Sequence, residues 1–170
     1  MQLLENVLLH GLVFAVLLTI YLLAVMRGLN PRIWAFSDYP KSITDHVPPQ
    51  TPRERRIAAY TAVPFFILIL GFPIVSTMIL EGLYGGSLPL LDAFLNIFGL
   101  VMFGTLADLV ILDLLIVGTI TPDWVIIPGT EYMRDKEYKE FRIYHAKGHA
   151  RAMPVLIILS LIFAALIVFI

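Results

Sequence analysis

The sequence predicts an all-α, polytopic membrane protein whose chain forms a bundle of four transmembrane helices. Hydrophobic residues make up 59% of the chain and charged residues only 15%, and the mean hydropathy is +0.86. A soluble domain with a solvated surface has a far more polar composition. Four apolar runs reach the ~20 residues that a helix needs to cross the hydrocarbon of a bilayer. They cover residues 3–26, 57–80, 90–116 and 152–170.

Helices are the expected form of these runs because a backbone in lipid must satisfy its own polar groups, and barrel strands alternate in polarity. We therefore expect a single membrane domain over residues 1–170. The first run lacks the basic start and the small-residue cleavage site of a signal peptide, so we expect it to remain as the first helix. The chain contains no cysteine, which excludes disulfides and thiolate metal sites.

The basic residues predict the orientation of the bundle. All twelve Lys and Arg fall in two segments, 27–56 and 117–151, whereas the remaining connection, EGLYGGSLPLLD, has two acids and no base. The positive-inside rule places both basic segments in the cytoplasm and both termini outside. We therefore expect a multi-pass protein of the plasma (inner) membrane, with anionic lipid headgroups as partners and no nucleic acid.

The first basic segment ends in a pattern typical of a helix start. Thr51 is an N-cap candidate, Pro52 suits the first helical position, and Glu54 can complete a capping box. Further upstream, aromatic residues are predicted to lie in the headgroup layer. These aromatic residues are Trp34, Phe36 and Tyr39.

The second basic segment predicts an amphipathic cytoplasmic helix, from about residue 131, between the third and fourth spans. Tyr138, Phe141, His145 and His149 recur at steps of three and four, which places the histidines on the aromatic face. The i, i+4 spacing of His145 and His149 lets two imidazoles bind one metal ion. The intervening Ala-Lys-Gly contains no Glu, so this is not the HExxH motif, and packing at the membrane surface is the alternative.

Two carboxylates stand out in the stretch ADLVILD near the end of the third span. Asp113 is predicted at the cytoplasmic boundary, and Asp108 about four residues, or ~6 Å, inside it. In an α-helix they are about 140° apart, so the sequence predicts that they do not share a face and that only Asp108 points into the bundle. An acid within the membrane indicates a functional site, and a structural salt bridge is the alternative.

Polar residues near the outer ends of the first and third spans predict a second, smaller cluster. Glu5, Asn6 and His10 lie in the first span, and Asn96 lies in the third. Hydration at the membrane surface is the alternative for Glu5 and Asn6.

Together these patterns predict a polar site at the cytoplasmic leaflet that acts on a lipid or isoprenoid headgroup. The alternative is a non-catalytic accessory or scaffold subunit that binds a protein partner through the almost entirely apolar fourth helix. A proton-coupled carrier is less favoured, because no inverted repeat is apparent. The sequence specifies neither a cofactor nor a reaction. The expected site residues are Asp108 and Asp113 for catalysis, Arg53, Arg55, Arg56 and Arg151 for a headgroup or phosphate, and His145 and His149 for a metal.

Overall fold

Four long helices dominate the computed structural model, which describes residues 2–169 and contains no strand within them. They are α1 (Gln2–Gly28), α2 (Pro52–Leu83), α3 (Leu90–Ile120) and α4 (Glu137–Phe169), and each is long and apolar enough to cross a membrane. The predicted fold class, an all-α membrane bundle of four spanning helices, is confirmed.

The fourth helix starts much earlier than its apolar run. It begins at Glu137 rather than at residue 152, and it passes through Gly148 without interruption. The predicted amphipathic segment is therefore the first part of the same helix that forms the fourth span. Its buried Tyr138 and Phe141 fix this first part against the rest of the protein. The predicted end of the span, Ile170, lies outside the described residues.

The start of α2 confirms the predicted capping box. The hydroxyl of Thr51 accepts a hydrogen bond from the backbone N–H of Glu54 (3.2 Å), and the Glu54 carboxylate accepts one from the Thr51 N–H (2.6 Å). Arg32 holds the same carboxylate through its Nε, 2.9 Å away. The preceding connection is thus fastened to the first turn of α2.

Two of the spanning helices contain π-helical segments. In α2 the segment is Ile67–Gly71, where Pro73 has no N–H to offer the carbonyl of Ile69. In α3 it is Asp108–Ile120, thirteen residues long, and it ends at Thr121 in the left-handed region with φ of 48°. The Thr121 N–H bonds the carbonyl five residues earlier, on Ile116, at 2.8 Å.

Gly118 marks a close approach of α3 and α4 in this π segment. A Cβ added at this position would lie 2.1 Å from Cγ of Arg142 in α4. The two helices can therefore pack this closely only because residue 118 has no side chain. This contact fixes the distance between the elements that carry the carboxylates and the histidines.

The two basic connections, residues 29–51 and 121–136, fold together over one end of the bundle. We call the two connections the cap, and the end of the bundle that they cover the basic end. The hydroxyl of Tyr39 donates to the carbonyl of Val125 (2.7 Å), and the hydroxyl of Tyr138 accepts from the N–H of Ile127 (2.8 Å). Tyr39 is only 3% exposed, so its predicted place in the headgroup layer is wrong. Its ring instead packs edge to face against Tyr138 and Phe141.

At the opposite end, buried polar side chains connect α1, α2 and α3. The Asn6 amide donates to Ser76 (2.9 Å) and to the Asn96 carbonyl oxygen (2.8 Å), and the Asn96 amide donates to Thr77 (3.0 Å). Nδ1 of His10 lies 2.8 Å from the Ser76 hydroxyl. The predicted outer cluster therefore exists, except that Glu5 is exposed and lies outside it.

Replacing Asn96 by Leu should lower the free energy of unfolding by about 1–2 kcal/mol, because the partners of a fully buried amide lose their hydrogen bonds. Thermal unfolding of the purified protein in detergent would measure the change. Leu95→Val is the matched control, since the neighbouring Leu95 is 41% exposed on the outside of the bundle. Equal unfolding temperatures for both variants would contradict a stabilising network.

Candidate functional site at the basic end

Asp113 occupies the centre of a polar cluster between α3 and α4. Its side chain lies in the π segment of α3, and the residue is only 7% exposed. One carboxylate oxygen, Oδ2, lies 2.8 Å from Nδ1 of His145 and 3.0 Å from Nε2 of His149. The prediction that Asp113 is an ordinary acid at the membrane surface is therefore wrong.

Asp108 lies beside Asp113 because the backbone between them is π-helical. A π-helix bonds residue i to residue i+5, which stacks side chains five positions apart on one face. Oδ2 of Asp108 is accordingly 3.8 Å from Nε2 of His149, the same nitrogen that contacts Asp113. The predicted separation of the two acids on different faces assumed an α-helix and is wrong for this segment.

The two histidines are one turn apart on α4 and reach the cluster as the aromatic pattern predicted. The His145 ring stacks on that of the buried Phe141, with ring centroids 3.8 Å apart. Its Nε2–H donates to the backbone carbonyl of Asp38 at 3.1 Å. Stacking and hydrogen bonding together fix the plane of the ring and direct Nδ1 towards Asp113.

The cap supplies the third side of the site through Asp38 and Tyr39. Burial raises the pKa of the Tyr39 hydroxyl well above its usual range, so the hydroxyl stays a neutral donor to Val125. The surrounding protein desolvates the Asp38 carboxyl and raises its pKa, and the nearby His145 partly offsets this change. Asp38 is the third carboxyl group of the site, and it lies exposed at the mouth.

A cavity of about 350 Å³ opens onto these side chains. An adjoining groove of about 330 Å³ shares Asp38, His145 and His149 and adds Arg151 and Ser37. The cavity has a polar wall and an apolar wall, the latter from α1, α2 and the cap. The apolar wall includes Leu22, Val25, Met26, Trp34 and Phe65.

The predicted cationic residues divide into two groups. Arg151 is exposed and lines the groove beside both histidines. Arg53, Arg55 and Arg56 are exposed in the first turns of α2, and none of them lines the cavity or the groove. The geometry thus places one of the four predicted headgroup residues next to the carboxylates, and phosphate binding stays a prediction for all of them.

Sequence reasoning missed Asp38 as a member of the site. Its contribution to His145 is a backbone carbonyl, which any residue type provides, so composition and spacing carry no signal for it. The neighbouring Tyr39 offered an indirect signal, since a buried tyrosine needs a hydrogen-bond partner and so indicates a folded connection.

Three donor side chains of the site are close enough to hold a metal ion. The ligand atoms of Asp113, His145 and His149 all lie within 4.8 Å of one another. The chemistry open to the cluster is therefore proton transfer between carboxylates and imidazoles, or coordination of a cation by both residue types. Comparison with protein families, with curated proteins and with solved structures finds no significant match to this chain.

Replacing Asp113 by Asn should destabilise the protein by about 2 kcal/mol, because two imidazoles lose a charged acceptor. Asp108→Asn is the matched variant and should leave stability nearly unchanged, because its carboxylate is more exposed and lies beside a like charge. Thermal unfolding of both variants in detergent with excess chelator would measure the difference. A larger loss in Asp108→Asn than in Asp113→Asn would contradict the central place of Asp113.

Proposed function

We propose that this protein is a membrane enzyme that acts on the polar headgroup of a lipid or isoprenoid at the cytoplasmic leaflet. The observation that supports the proposal is the cavity at the basic end, which combines three acidic residues and two histidines with an apolar wall. Groups that exchange protons at the end of a bundle can reach a headgroup, whereas the apolar wall suits the start of a hydrocarbon chain.

In this proposal the two acids have different roles because their surroundings differ. Asp113 is held by both histidines and orients them. Asp108 is less tightly held and borders the open cavity, so it serves as the general base for a headgroup hydroxyl or a water molecule. Arg151 lies in the adjoining groove, where its guanidinium neutralises a phosphate of the substrate.

A lipid panel tests the activity. The protein would be reconstituted in nanodiscs with phosphatidylglycerol, phosphatidylethanolamine or a polyprenyl phosphate, and the products would be followed by mass spectrometry. We expect one class to be converted, Asp108→Asn to abolish conversion, and Arg151→Gln to raise KM about tenfold through loss of a charged hydrogen bond.

Lys136→Gln is the control for Arg151→Gln, because Lys136 is exposed in the cap and lines neither the cavity nor the groove. If no lipid of the panel is converted, the result would count against the proposal that the protein is an enzyme. An Asp108→Asn variant as active as the parent would show that the assigned base is wrong.

A scaffold subunit is the second proposal, and the surface of α4 favours it. Only 11% of the most apolar stretch of α4 is buried in the protein, against 28% for α3. This outward face includes Val155, Ile158 and Ile162. A protein that co-purifies in fixed stoichiometry and is lost on Ile158→Trp would support the scaffold over the enzyme.

The orientation is a further part of the proposal, with the basic end in the cytoplasm and the membrane being the plasma (inner) membrane. Because the chain has no cysteine, single substitutions report on topology without background. In intact cells a membrane-impermeant maleimide should label Ser87→Cys, in the connection between α2 and α3, and spare Ser42→Cys in the cap. Both positions are exposed. The reverse labelling pattern would show that the basic end lies outside the cell.

A further inference from the structure

We propose that Asp113, His145 and His149 bind one divalent transition-metal ion of the zinc type. The assignment deepens the proposed function and rests on it for the headgroup as substrate, whereas the metal site itself follows from the geometry of the three donors. Four observations support the metal site: the distances between the donor atoms, the orientation of His145, the balance of charge, and the types of donor.

The donor atoms are already arranged around one point. Oδ2 of Asp113 lies 2.8 Å from Nδ1 of His145 and 3.0 Å from Nε2 of His149. Bonds of about 2.0–2.2 Å to a tetrahedral zinc ion separate neighbouring ligand atoms by roughly 3.4 Å. The two oxygen–nitrogen distances are a few tenths of an ångström shorter than this value, and all three ligand atoms lie within 4.8 Å of one another, so side-chain adjustments would bring them to one ion.

The orientation of His145 is that of a metal ligand. Its Nε2–H donates to the backbone carbonyl of Asp38, so in the neutral ring Nδ1 carries only a lone pair. This lone pair faces a carboxylate oxygen at 2.8 Å, so either a proton on Nδ1 or a metal ion must lie between the two atoms. Metal-binding imidazoles usually donate their other ring N–H to a carbonyl or carboxylate, which fixes the tautomer.

The charge of the site is compatible with a bound dication. Within residues 2–169, the ion-pair partners of Asp108 and Asp113 are the two histidines, and no Lys or Arg pairs with either acid. Two carboxylates carry two negative charges, which either two imidazolium ions or one divalent metal with neutral imidazoles can balance. The metal would bind both ring lone pairs and the Asp113 carboxylate at once, without placing two imidazolium ions side by side.

The donor types select among metals. Two imidazoles and one carboxylate, with no thiolate anywhere in the chain, suit Zn²⁺, Fe²⁺ or Mn²⁺, whereas Ca²⁺ and Mg²⁺ prefer oxygen ligands throughout. Three protein ligands leave a coordination position open, as in catalytic zinc sites. Asp108 borders the same cavity, and its Oδ2 lies 3.8 Å from Nε2 of His149.

Metal analysis of the intact protein tests the site. The chain would be purified with a histidine-free tag, stripped with chelator, incubated with Zn²⁺ and freed of excess ion before elemental analysis. We expect one zinc per chain in the parent, and at least a tenfold lower affinity in His145→Gln, His149→Gln and Asp113→Asn.

The chain supplies matched controls, because it has four histidines and two of them lie elsewhere. His46 contacts Tyr132 on the cap, and His10 belongs to the outer polar network. His46→Gln and His10→Gln should keep one zinc. A parent that retains none, or a His145→Gln variant that binds as tightly as the parent, would overturn the site.

X-ray absorption of the parent at the zinc edge needs no variant, so it decides the question even if the substitutions prevent folding. We expect two imidazole nitrogens and oxygen ligands at about 2.0–2.2 Å. A shell of oxygen alone would overturn the assignment.

The metal and the proposed function can fail separately. Stoichiometric zinc without conversion of any lipid supports the metal site and counts against the enzyme. Full conversion by chelator-stripped protein supports the enzyme and overturns the metal as part of its site.

Discussion

The contact of one carboxylate oxygen with two imidazoles holds the basic end of this protein together. Oδ2 of Asp113 in α3 meets His145 and His149, which are one turn apart on α4. A buried carboxylate without partners costs several kcal/mol, so the rotation and the height of α4 against α3 are fixed by the need to supply both rings. Gly118 permits the approach, because any side chain there would meet Arg142.

The π-helical backbone of α3 decides which groups take part in this contact. The hydrophobic pattern of residues 90–120 predicts a spanning helix, but it does not distinguish hydrogen bonds to residue i−4 from bonds to residue i−5. An α-helix would turn Asp108 away from Asp113, whereas the π segment stacks them. π segments are often found at functional sites, where the widened backbone brings together side chains that a regular helix separates.

Much of the architecture could be predicted because it depends on local chemistry. Apolar length determines the four spans, the Thr51–Glu54 pattern determines the start of α2, and the spacing of Tyr138, Phe141 and His145 determines a common face. The cap could not be predicted in the same way. Tyr39 reaches Val125 across two connections, and such long-range pairing leaves no periodic trace in the sequence. The position of the Asp38 carbonyl depends on that pairing.

Burying polar groups costs free energy in both polar clusters of the bundle, and the two clusters offset this cost with different chemical groups. In the outer cluster, Asn6, Asn96, Ser76 and Thr77 are neutral and buried, and each takes part in a hydrogen bond with another member. Such a network stabilises the packing of the helices against one another.

The polar cluster at the basic end consists of groups that can change charge, and it opens onto a cavity. Hydrogen bonding alone does not account for the carboxylates and imidazoles at the basic end, because amides and hydroxyls connect the helices in the outer cluster without a buried carboxylate. Carboxylates paired with two imidazoles beside accessible space provide a capacity to bind a cation and to move a proton, whereas the outer network has one histidine and no carboxylate. This contrast within one bundle is the physical reason for proposing chemistry at the basic end and a structural role for the other.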